Sequence, residues 1–398
     1  MDNAPNRKNW LERNPKKIIG VLLLLAIGGL AVVTEWLLAR KNHGLINPAG
    51  IQRYIKLREF NPLYRDVLVP NQEAMQTSDG LVQKPFMLRV DRQGFIMPAK
   101  IHDHPDLTIA FLGGSTTECV YVMEPDRFPY LAGRLLERQT GLRVNSYNAG
   151  RSGNNTLHCI NVLLNKVVNL KPDLVVLMEN INDLAILMYD KTYWNDHPSR
   201  SPLIEKPPNF KTVGKDLEQI FHLVRDMTFP YLSRELKKLS PFGPQEKRDE
   251  FQRVRGKKIT IDQEFLVREF SLNLQTFINI CRAREITPVL MTQASRLTDS
   301  PDPLIKKLMQ KLEVSQGVTY TDFKNAFDRL NQTIRDVGAK NQVLVIDLAR
   351  EIPPVKENIA DVTHFNDQGS RLVAARIAAD LTPIIARLAK KPLSGRDK

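Results

Sequence analysis

The longest apolar run of the chain lies near its N-terminus. Residues 18–33 contain no charged side chain, and residues 36–38 extend the run. At a rise of about 1.5 Å per residue, roughly 21 residues span a ~30 Å hydrocarbon core. A cleaved signal peptide has a shorter apolar core and a small-residue cleavage site, whereas Arg40 and Lys41 follow this run. The pattern therefore predicts one transmembrane helix over residues 18–39.

The basic residues beside this run bear on its orientation. Five lysines and arginines precede it, and five more follow it up to residue 58, so the two flanks are balanced. Charge governs the translocation of a long domain less than that of a short flank. We therefore expect residues 1–17 to form a basic cytoplasmic N-terminus. The rest of this single-pass inner (cell) membrane protein is then expected in the periplasm or outside the cell.

From about residue 107, short apolar runs alternate with segments of helical spacing. Five runs rich in Val, Ile and Leu have the length of buried strands: 107–112, 142–148, 174–178, 288–292 and 343–348. Helices are predicted at 130–139, 157–169, 262–284 and 367–388. This alternation predicts an α/β fold, a flavodoxin-like three-layer α/β/α sandwich with a mainly parallel five-stranded sheet, over residues 107–388.

Three stretches fall outside that alternation. Residues 40–106 are predicted to be a membrane-proximal connector, with a short helix near 51–57 and a strand near 87–95. Residues 190–260 contain seven prolines and are predicted to be an insertion over the strand ends, serving as a lid or for recognition of an acceptor. Residues 389–398 form a basic tail.

Composition narrows the function classes. Lys and Arg number 57 against 44 Asp and Glu, a net charge of +13, yet the basic groups are scattered and no RNA-binding or helix-turn-helix pattern accompanies them. We therefore expect no nucleic-acid partner. Cys119, Cys159 and Cys281 are widely spaced, which is typical of buried packing residues, and no zinc, P-loop or dinucleotide pattern occurs. The sequence predicts neither a metal nor a cofactor.

Candidate chemistry lies at the end of the first strand of this sheet. Residues 111–118 read F-L-G-G-S-T-T-E, which places Ser115 on a glycine turn directly after apolar residues. A serine hydroxyl becomes a useful nucleophile when the backbone presents it and a base activates it. Residues 361–364 read D-V-T-H, so one loop supplies a candidate base, His364, and a carboxylate, Asp361, to orient it.

Two further loops follow strands and supply candidate hydrogen-bond donors for an oxyanion. Residues 148–154, N-A-G-R-S-G-N, carry glycines that let the backbone turn an N–H toward Ser115. Residues 180–183, N-I-N-D, follow the third strand, where an asparagine amide would donate a second hydrogen bond. The N–H of Ser115 would be the third donor. Each motif alone is an ordinary turn sequence, but their order after successive strands favours an acyl-transfer site.

Together these four blocks resemble the SGNH hydrolases, the GDSL-type esterase and acyltransferase superfamily, in a membrane-anchored bacterial form. The resemblance covers roughly residues 107–388. It implies that Ser115 is the nucleophile, His364 the general base and Asp361 its partner. It also implies that Ser115, Gly153 and Asn182 bind the oxyanion and that the reaction needs no cofactor.

The chain departs from the usual family pattern at two positions. Gly114 stands where the G-D-S block has aspartate, and Asn180 stands where the third block has glycine. A side chain at position 180 is expected to narrow the cleft or to contact the substrate. Asn180 is therefore a candidate substrate-binding residue.

These features predict a membrane-anchored serine esterase that hydrolyses acyl esters, above all O-acetyl groups on a glycan, through an acyl-serine. The expected partners are an acylated glycan or a small ester, and the membrane through the N-terminal helix; the oligomeric state stays open. One alternative is an O-acyltransferase that modifies a cell-surface polysaccharide. The other is a catalytically idle glycan-binding protein on the same fold, which only Asn180 supports.

Overall fold

The structure is a computed structural model that describes residues 14–41, 52–195, 197, 200–206 and 256–389. The chain divides into two compact units. The first comprises Met1–Tyr54 and Ile204–Gly243, and the second comprises Ile55–Leu203 and Pro244–Lys398. Most of the predicted cytoplasmic N-terminus, of the predicted insertion at 190–260 and of the basic tail at 389–398 lies outside the described residues.

Helix α1 spans Pro15–Lys41 and contains the long apolar run. Its segment Lys16–Thr34 has a mean hydropathy of 2.4 and none of it is buried, so by length and composition it is a candidate membrane span. A helix of this kind near the N-terminus is also compatible with a signal sequence. The predicted helix at 18–39 is confirmed as a helix of sufficient length.

Nine strands occur in the described part of the chain, and five of them form the central parallel sheet. In chain order the strands are β1 Gln52–Ile55, β2 Arg65–Leu68, β3 Phe86–Arg89, β4 Leu107–Gly113, β5 Val144–Asn148, β6 Leu174–Met178, β7 Leu203–Lys206, β8 Thr287–Met291 and β9 Leu344–Ile346. The central sheet has the order β5-β4-β6-β8-β9, with every pair parallel, whereas β2 pairs antiparallel with β3 and β1 pairs with β7.

Helices cover both faces of the central sheet. The α-helices that follow α1 in the described part of the chain are α2 Gln72–Gln76, α3 Ser115–Glu118, α4 Phe128–Thr140, α5 Thr156–Val162, α6 Ile181–Asp190, α7 Gln263–Ala283, α8 Pro303–Gln316, α9 Tyr320–Asn341, α10 Leu348–Glu351 and α11 Asp367–Ala389. After α5 the chain continues through a π-turn, Leu163–Val167, and a 3₁₀ turn, Val168–Leu170, so the helix predicted at 157–169 changes type within its length.

The two cores follow the alternation of side chains along each strand. In β4, Ala110 and Leu112 belong to the core shared with α5, α7 and α9, whereas Ile109 and Phe111 belong to the core shared with α4 and α11. Successive residues of a strand point to opposite faces, so a strand buried on both faces reads as one continuous apolar run. The predicted three-layer α/β/α sandwich is confirmed.

Residues 55–106 belong to the same compact unit as the sheet. Ile96 forms an antiparallel bridge with Asn148, and Asn145 accepts hydrogen bonds from the N–H groups of Ile101 and His102. These contacts cover strand β5 at the edge of the sheet and protect it from pairing with other chains. The helix predicted near residues 51–57 is wrong, because residues 52–55 form strand β1.

The strand order leaves a switch point between β4 and β6. The chain passes from β4 outward to β5 and then returns to β6 on the other side of β4. Connections therefore diverge at the carboxyl ends of these two strands, and ligands of doubly wound sheets bind at such a crevice. Ser115 follows β4 directly, and Asn182 follows β6.

Candidate active site

The end of strand β4 presents Ser115. The strand runs buried to Gly113, and Ser115 is the first residue of the four-residue helix α3. A side chain at Gly114 would collide with the amide nitrogen of Asn182. Glycine at this position therefore permits the Asn182 amide to approach the backbone beside the nucleophile, which gives a physical reason for the departure from G-D-S.

Ser115, His364 and Asp361 form a continuous hydrogen-bonded chain. His364 Nε2 lies 2.7 Å from Ser115 Oγ, and His364 Nδ1 lies 2.7 Å from Asp361 Oδ2. The other carboxylate oxygen of Asp361 accepts hydrogen bonds from the backbone N–H groups of Thr363, at 2.9 Å, and His364, at 2.8 Å. Ser115 and His364, 249 residues apart in sequence, thus meet with the geometry that a serine nucleophile requires.

Charge within the triad shifts the pKa of both titratable partners. Burial opposes the charged form of the His364 imidazole, but the carboxylate of Asp361 outweighs it and raises the pKa of His364 above its usual value. Burial alone would raise the pKa of Asp361, yet the charge and hydrogen bonds of His364 and the N–H of Thr363 hold it below its usual value. The pair therefore favours an ionised Asp361 and a histidine that readily takes a proton.

Gly153 lies in the loop that follows β5. Gly153 has a φ of +74°, a left-handed conformation that favours glycine. The N–H of Arg151 donates to the carbonyl of Gly113 at 3.0 Å, and Asn148 Nδ2 donates to the carbonyl of Thr117 at 2.8 Å. The loop is thereby tied to the turn that carries the nucleophile.

The buried carboxylate of Glu118 also binds the loop that follows β5. Glu118, at the end of α3, is 2% exposed and forms an ion pair with Arg151 at 3.0 Å. Burial raises the pKa of Glu118, while the charge and hydrogen bond of Arg151 and the N–H of Ser152 oppose that rise. The guanidinium of Arg151 in turn lies 4.0 Å from the ring centroid of Phe60.

Asn182 is held by a second buried acid. Its side chain hydrogen-bonds to the carboxyl group of Glu179, whose pKa is raised well above its usual value by burial and by the neighbouring Asp183. Asp183 accepts hydrogen bonds from the N–H of Thr156, at 3.1 Å, and the hydroxyl of Tyr193, at 2.6 Å, and burial raises its pKa to about 6. The amide of Asn182 therefore has a defined orientation against Gly114.

Gln293 links the two loops that flank the switch point. Its Nε2 donates to Thr116 Oγ1 at 2.8 Å, and its Oε1 accepts from the N–H of Ile181 at 3.0 Å. The side chain is 4% exposed, so it acts as an internal brace between the nucleophile turn and the start of α6. Its position just after β8 is the only sequence signal for this role.

Asn180 does not contact the cleft, contrary to the prediction from the sequence. Its side chain is fully buried, and its Nδ2 donates to the carbonyl of Phe327 in α9 at 3.0 Å. The amide therefore joins α6 to a neighbouring helix. The reason is that the backbone at this position turns the side chain toward the core rather than toward the strand ends.

A cleft of about 360 Å³ opens beside the triad. It is lined by Ser115, Asp361 and His364 and by a wall from residues 74–86, whereas Gly153 and Asn182 lie outside its lining. The wall includes Leu81, Val82 and Phe86. Other apolar side chains of the lining are Val120, Tyr121 and Phe365, and Lys84 lies 3.6 Å from Asp367. The cleft thus lies on the histidine side of the nucleophile.

Arg296 fixes that wall to the loop of the acid and the base. The guanidinium, 1% exposed, forms ion pairs with Asp79 at 2.7 Å and with Asp302 at 2.6 Å, and donates to the carbonyl of Ala360 at 3.1 Å. The N–H of Asp79 also donates to Ala360 at 2.6 Å. Sequence reasoning missed Arg296 and residues 74–86, because no local pattern marks contacts between such distant segments.

The remaining polar candidates play structural parts. Cys119 is buried, and burial raises the pKa of its thiol to about 12, which leaves Ser115 without a competing nucleophile nearby. His158 is buried, completes a capping box with Asn155 at the start of α5, and burial lowers its pKa to about 3. Within the described residues, no cluster of His, Cys, Asp and Glu is suited to hold a metal ion.

The profile of the GDSL-like lipase/acylhydrolase family matches residues 111–372. This match covers well over half of the sequence and includes all the residues of the triad. The chain belongs to the GDSL-like lipase/acylhydrolase family. It is accordingly an ester-bond hydrolase of the SGNH fold.

Three solved structures illustrate what this chain is similar to. An acetyl xylan esterase, AlAXEase, is 16% identical over 69% of this chain and 98% of its own, with a TM-score of 0.40. The lipase/acylhydrolase from Enterococcus faecalis is 19% identical over 70% and 96%, with a TM-score of 0.39. The acetylxylan esterase Axe2 from Geobacillus stearothermophilus is 14% identical over 71% and 96%, with a TM-score of 0.39. A comparison with curated proteins gave no significant match.

Proposed function

We propose that this protein is a membrane-anchored serine esterase that cleaves acyl esters of a glycan through an acyl-serine at Ser115. The observation that supports this proposal most strongly is the hydrogen-bonded chain from Ser115 Oγ through His364 to Asp361, with both contacts at 2.7 Å. Such an arrangement lets the imidazole remove the serine proton while the carboxylate stabilises the imidazolium that forms.

The proposed reaction has two halves. Ser115 Oγ attacks the ester carbonyl carbon as its proton passes to His364 Nε2, and the carbonyl oxygen becomes an oxyanion. The N–H groups of Ser115 and Gly153 and the amide of Asn182 donate hydrogen bonds to that oxyanion. The tetrahedral intermediate collapses, His364 returns the proton to the leaving alcohol oxygen, and the acyl group stays on Ser115. Water then repeats the sequence and releases the acid.

The cleft beside His364 supports a bulky alcohol portion. Because His364 protonates the leaving oxygen, the alcohol must lie on the histidine side, where the cleft of about 360 Å³ opens. The ring of Tyr121 suits the apolar face of a sugar ring, and the Lys84 and Asp367 charges suit its hydroxyl groups. We therefore assign the alcohol as a sugar unit and the acyl group as a short one, such as acetyl.

The decisive experiment measures ester hydrolysis by the full chain in detergent. The wild-type protein should hydrolyse a short-chain aryl acetate, and Ser115→Ala should lose at least about 10³-fold in kcat. Ser271→Ala, on α7 and outside the lining of the cleft, serves as the matched control and should retain wild-type turnover. Undiminished turnover by Ser115→Ala would refute the acyl-serine mechanism.

The same cleft favours a second candidate, an O-acyltransferase. A space of this size next to His364 accommodates an acceptor alcohol as well as a leaving one, and the base would then deprotonate a sugar hydroxyl instead of water. Product analysis with an acyl donor and candidate glycans separates the two activities. Free acid without any acylated glycan identifies an esterase.

The third class considered, an idle glycan-binding protein, loses its only support. That support was the side chain of Asn180, which is buried away from the cleft. A fluorophosphonate that failed to label Ser115 in the folded wild-type protein would restore this alternative.

We further propose that helix α1 anchors the protein in the inner (cell) membrane with the catalytic unit in the periplasm or outside the cell. The length and hydropathy of Lys16–Thr34 support this assignment. The anchored protein should resist extraction by alkaline carbonate and remain accessible to protease added from the outer side. Its release by carbonate alone would show that the helix does not span the bilayer.

A further inference from the structure

Arg58 lies outside the part of the chain matched by the family profile, yet its guanidinium contacts the loop that follows β5. It precedes β2, and its Nη2 donates to the carbonyl oxygen of Ser152 at 2.8 Å across a separation of 94 residues. The same nitrogen would lie 3.1 Å from a Cβ added to Gly153, so it covers that glycine closely. Asn154 Nδ2 also donates to the carbonyl of Arg58, at 3.3 Å.

The peptide bond between Ser152 and Gly153 connects this contact to the chemistry. It is trans, so the C=O of Ser152 and the N–H of Gly153 point in opposite directions in one plane. A cation that holds the oxygen on one side thereby directs the N–H to the other side. In the part of the chain that the structure describes, no acceptor takes that N–H, which leaves it available to a ligand.

Arg58 also acts on the second donor. Its positive charge opposes the rise in the pKa of buried Glu179, the carboxyl group that hydrogen-bonds to the side chain of Asn182. A charge that favours the ionised form of Glu179 strengthens its hold on the Asn182 amide. Arg58 therefore binds the peptide that carries the Gly153 N–H, and its charge also acts on Glu179, which hydrogen-bonds to Asn182.

We infer that Arg58 is a positioning residue of the oxyanion hole, which aligns the Gly153 N–H by binding the Ser152 carbonyl. This inference rests on the proposed function, because it assumes that Gly153 binds the oxyanion. The positive charge of the Arg58 guanidinium, next to the carbonyl oxygen of Ser152, also polarises this peptide group and makes the Gly153 N–H a stronger donor. Residues before the family domain thus complete its active site.

A neighbouring contact supplies the control. Glu59, the next residue, forms an ion pair with Lys166 at 2.7 Å, and Lys166 also donates to the carbonyl of Gly94 at 2.6 Å. Lys166→Met weakens the attachment of the same segment without touching Ser152 or Gly153. A comparison of the two variants separates alignment of the oxyanion donor from simple attachment of the segment.

The test uses the full chain in detergent with Arg58→Ala, Arg58→Lys and Lys166→Met. For an aryl acetate, Arg58→Ala should lower kcat about 10- to 100-fold with KM changed less than about 3-fold, since the interaction matters in the transition state. Arg58→Lys, which keeps the charge but not the planar fork, should lie between. Lys166→Met should stay within about 3-fold of the wild type in both constants.

Inhibition by a boronic acid distinguishes a positioning role of Arg58 from a purely structural one, because a purely structural role would leave the inhibition constant unchanged. Ser115 Oγ adds to boron as its proton passes to His364, and an oxygen of the resulting tetrahedral anion occupies the oxyanion site. Its inhibition constant should rise in Arg58→Ala by about the same factor as kcat/KM falls.

Several outcomes would overturn the inference. These are a wild-type kcat in Arg58→Ala, a boronate affinity that does not change with kcat/KM, or equal losses in Arg58→Ala and Lys166→Met. If Arg58→Ala fails to fold, Arg58→Lys decides by the same two measurements. The wild type and Ser115→Ala are assayed in parallel: a wild type without turnover would refute the proposed function itself, whereas an active wild type with unaffected Arg58 variants refutes only this inference.

Discussion

The catalytic unit contains two regions that contribute differently to the site. The loops at the carboxyl ends of the sheet carry the candidate reacting groups, namely Ser115, His364 and the donors. The segment at residues 55–102 carries none of the candidate reacting atoms, yet it contacts these loops through Arg58, Asp79 and Lys84. In this protein, the chemistry is concentrated in short motifs, whereas the support of those motifs and one wall of the cleft come from elsewhere.

This difference implies a ranking of mutational effects. Loss of a group that moves a proton or binds developing charge changes the transition state directly. Loss of a side chain in the flanking segment acts through the position of another group or through substrate contact alone. Asp361→Asn and Asn182→Ala remove reacting groups, whereas Val82→Ala changes the flanking segment. A larger effect of Val82→Ala than of the other two would refute the division between the two regions.

Asp361→Asn should have the largest of these effects. Without the carboxylate, His364 loses the group that orients it and stabilises its charged form, so kcat/KM should fall about 10³- to 10⁴-fold. The carboxylate raises the pKa of His364, and only the neutral imidazole accepts the serine proton. Activity of the wild type should therefore fall as the pH drops through that raised pKa, and in Asp361→Asn the fall should move to lower pH.

The measurement is kcat/KM from about pH 5 to 9 with a substrate that does not ionise. Asp361 is partly buried and accepts several hydrogen bonds, so the isosteric asparagine is the appropriate substitution, and a melting curve checks that the variant folds. An acid limb at the same pH in both proteins would show that Asp361 does not control the charge of His364.

Asn182→Ala should rank second. Removal of one oxyanion donor costs about 10²- to 10³-fold in kcat, with little change in KM, since the hydrogen bond strengthens as the oxyanion forms. Steady-state kinetics with an aryl acetate provide the measurement. Asn169→Ala, on the exposed 3₁₀ turn, is the matched control and should behave as the wild type. A wild-type kcat in Asn182→Ala would remove Asn182 from the oxyanion hole.

Val82→Ala should have the smallest effect and should act on KM alone. Val82 lines the cleft from the flanking segment and is 55% exposed, so its truncation removes part of an apolar contact with the alcohol portion. KM for an acetylated oligosaccharide should rise about 2- to 4-fold, while kcat stays unchanged. Val314→Ala, 78% exposed on α8, is the control. An unchanged KM for the oligosaccharide would place the alcohol elsewhere.

Much of the fold was predictable because a strand that is buried on both faces has a continuous run of apolar residues. The runs at 107–112 and 174–178 correspond closely to β4 and β6, since parallel strands covered by helices need apolar residues on both faces. Residues 51–57 have no continuous apolar run. A helix was predicted there, but residues 52–55 form strand β1, whose partner β7 lies about 150 residues later. Local propensity is weak where pairing with a distant segment decides the structure.

The site shows the same limit at individual residues. Asp361 and His364 were recognisable because chemistry restricts the residue types and a tight loop sets their spacing. Asn180 was interpreted from its place in a motif, but its side chain binds the carbonyl of Phe327, 147 residues away, and is lost to the substrate. Arg58 and Arg296 were overlooked for the complementary reason: many arginines resemble them in sequence, and only their partners distinguish them.

The sequence by itself determined the apolar helix, the order of strands and helices, and the residues suited to nucleophile, base and acid, because each depends on local pattern and intrinsic reactivity. Only the tertiary structure decided that residues 55–102 belong to the catalytic unit, that Asn180 faces the core, and that Arg58 binds the peptide next to Gly153. These facts depend on how distant segments pack in three dimensions, and the energy of a hydrogen bond or ion pair exists only once both partners have been placed.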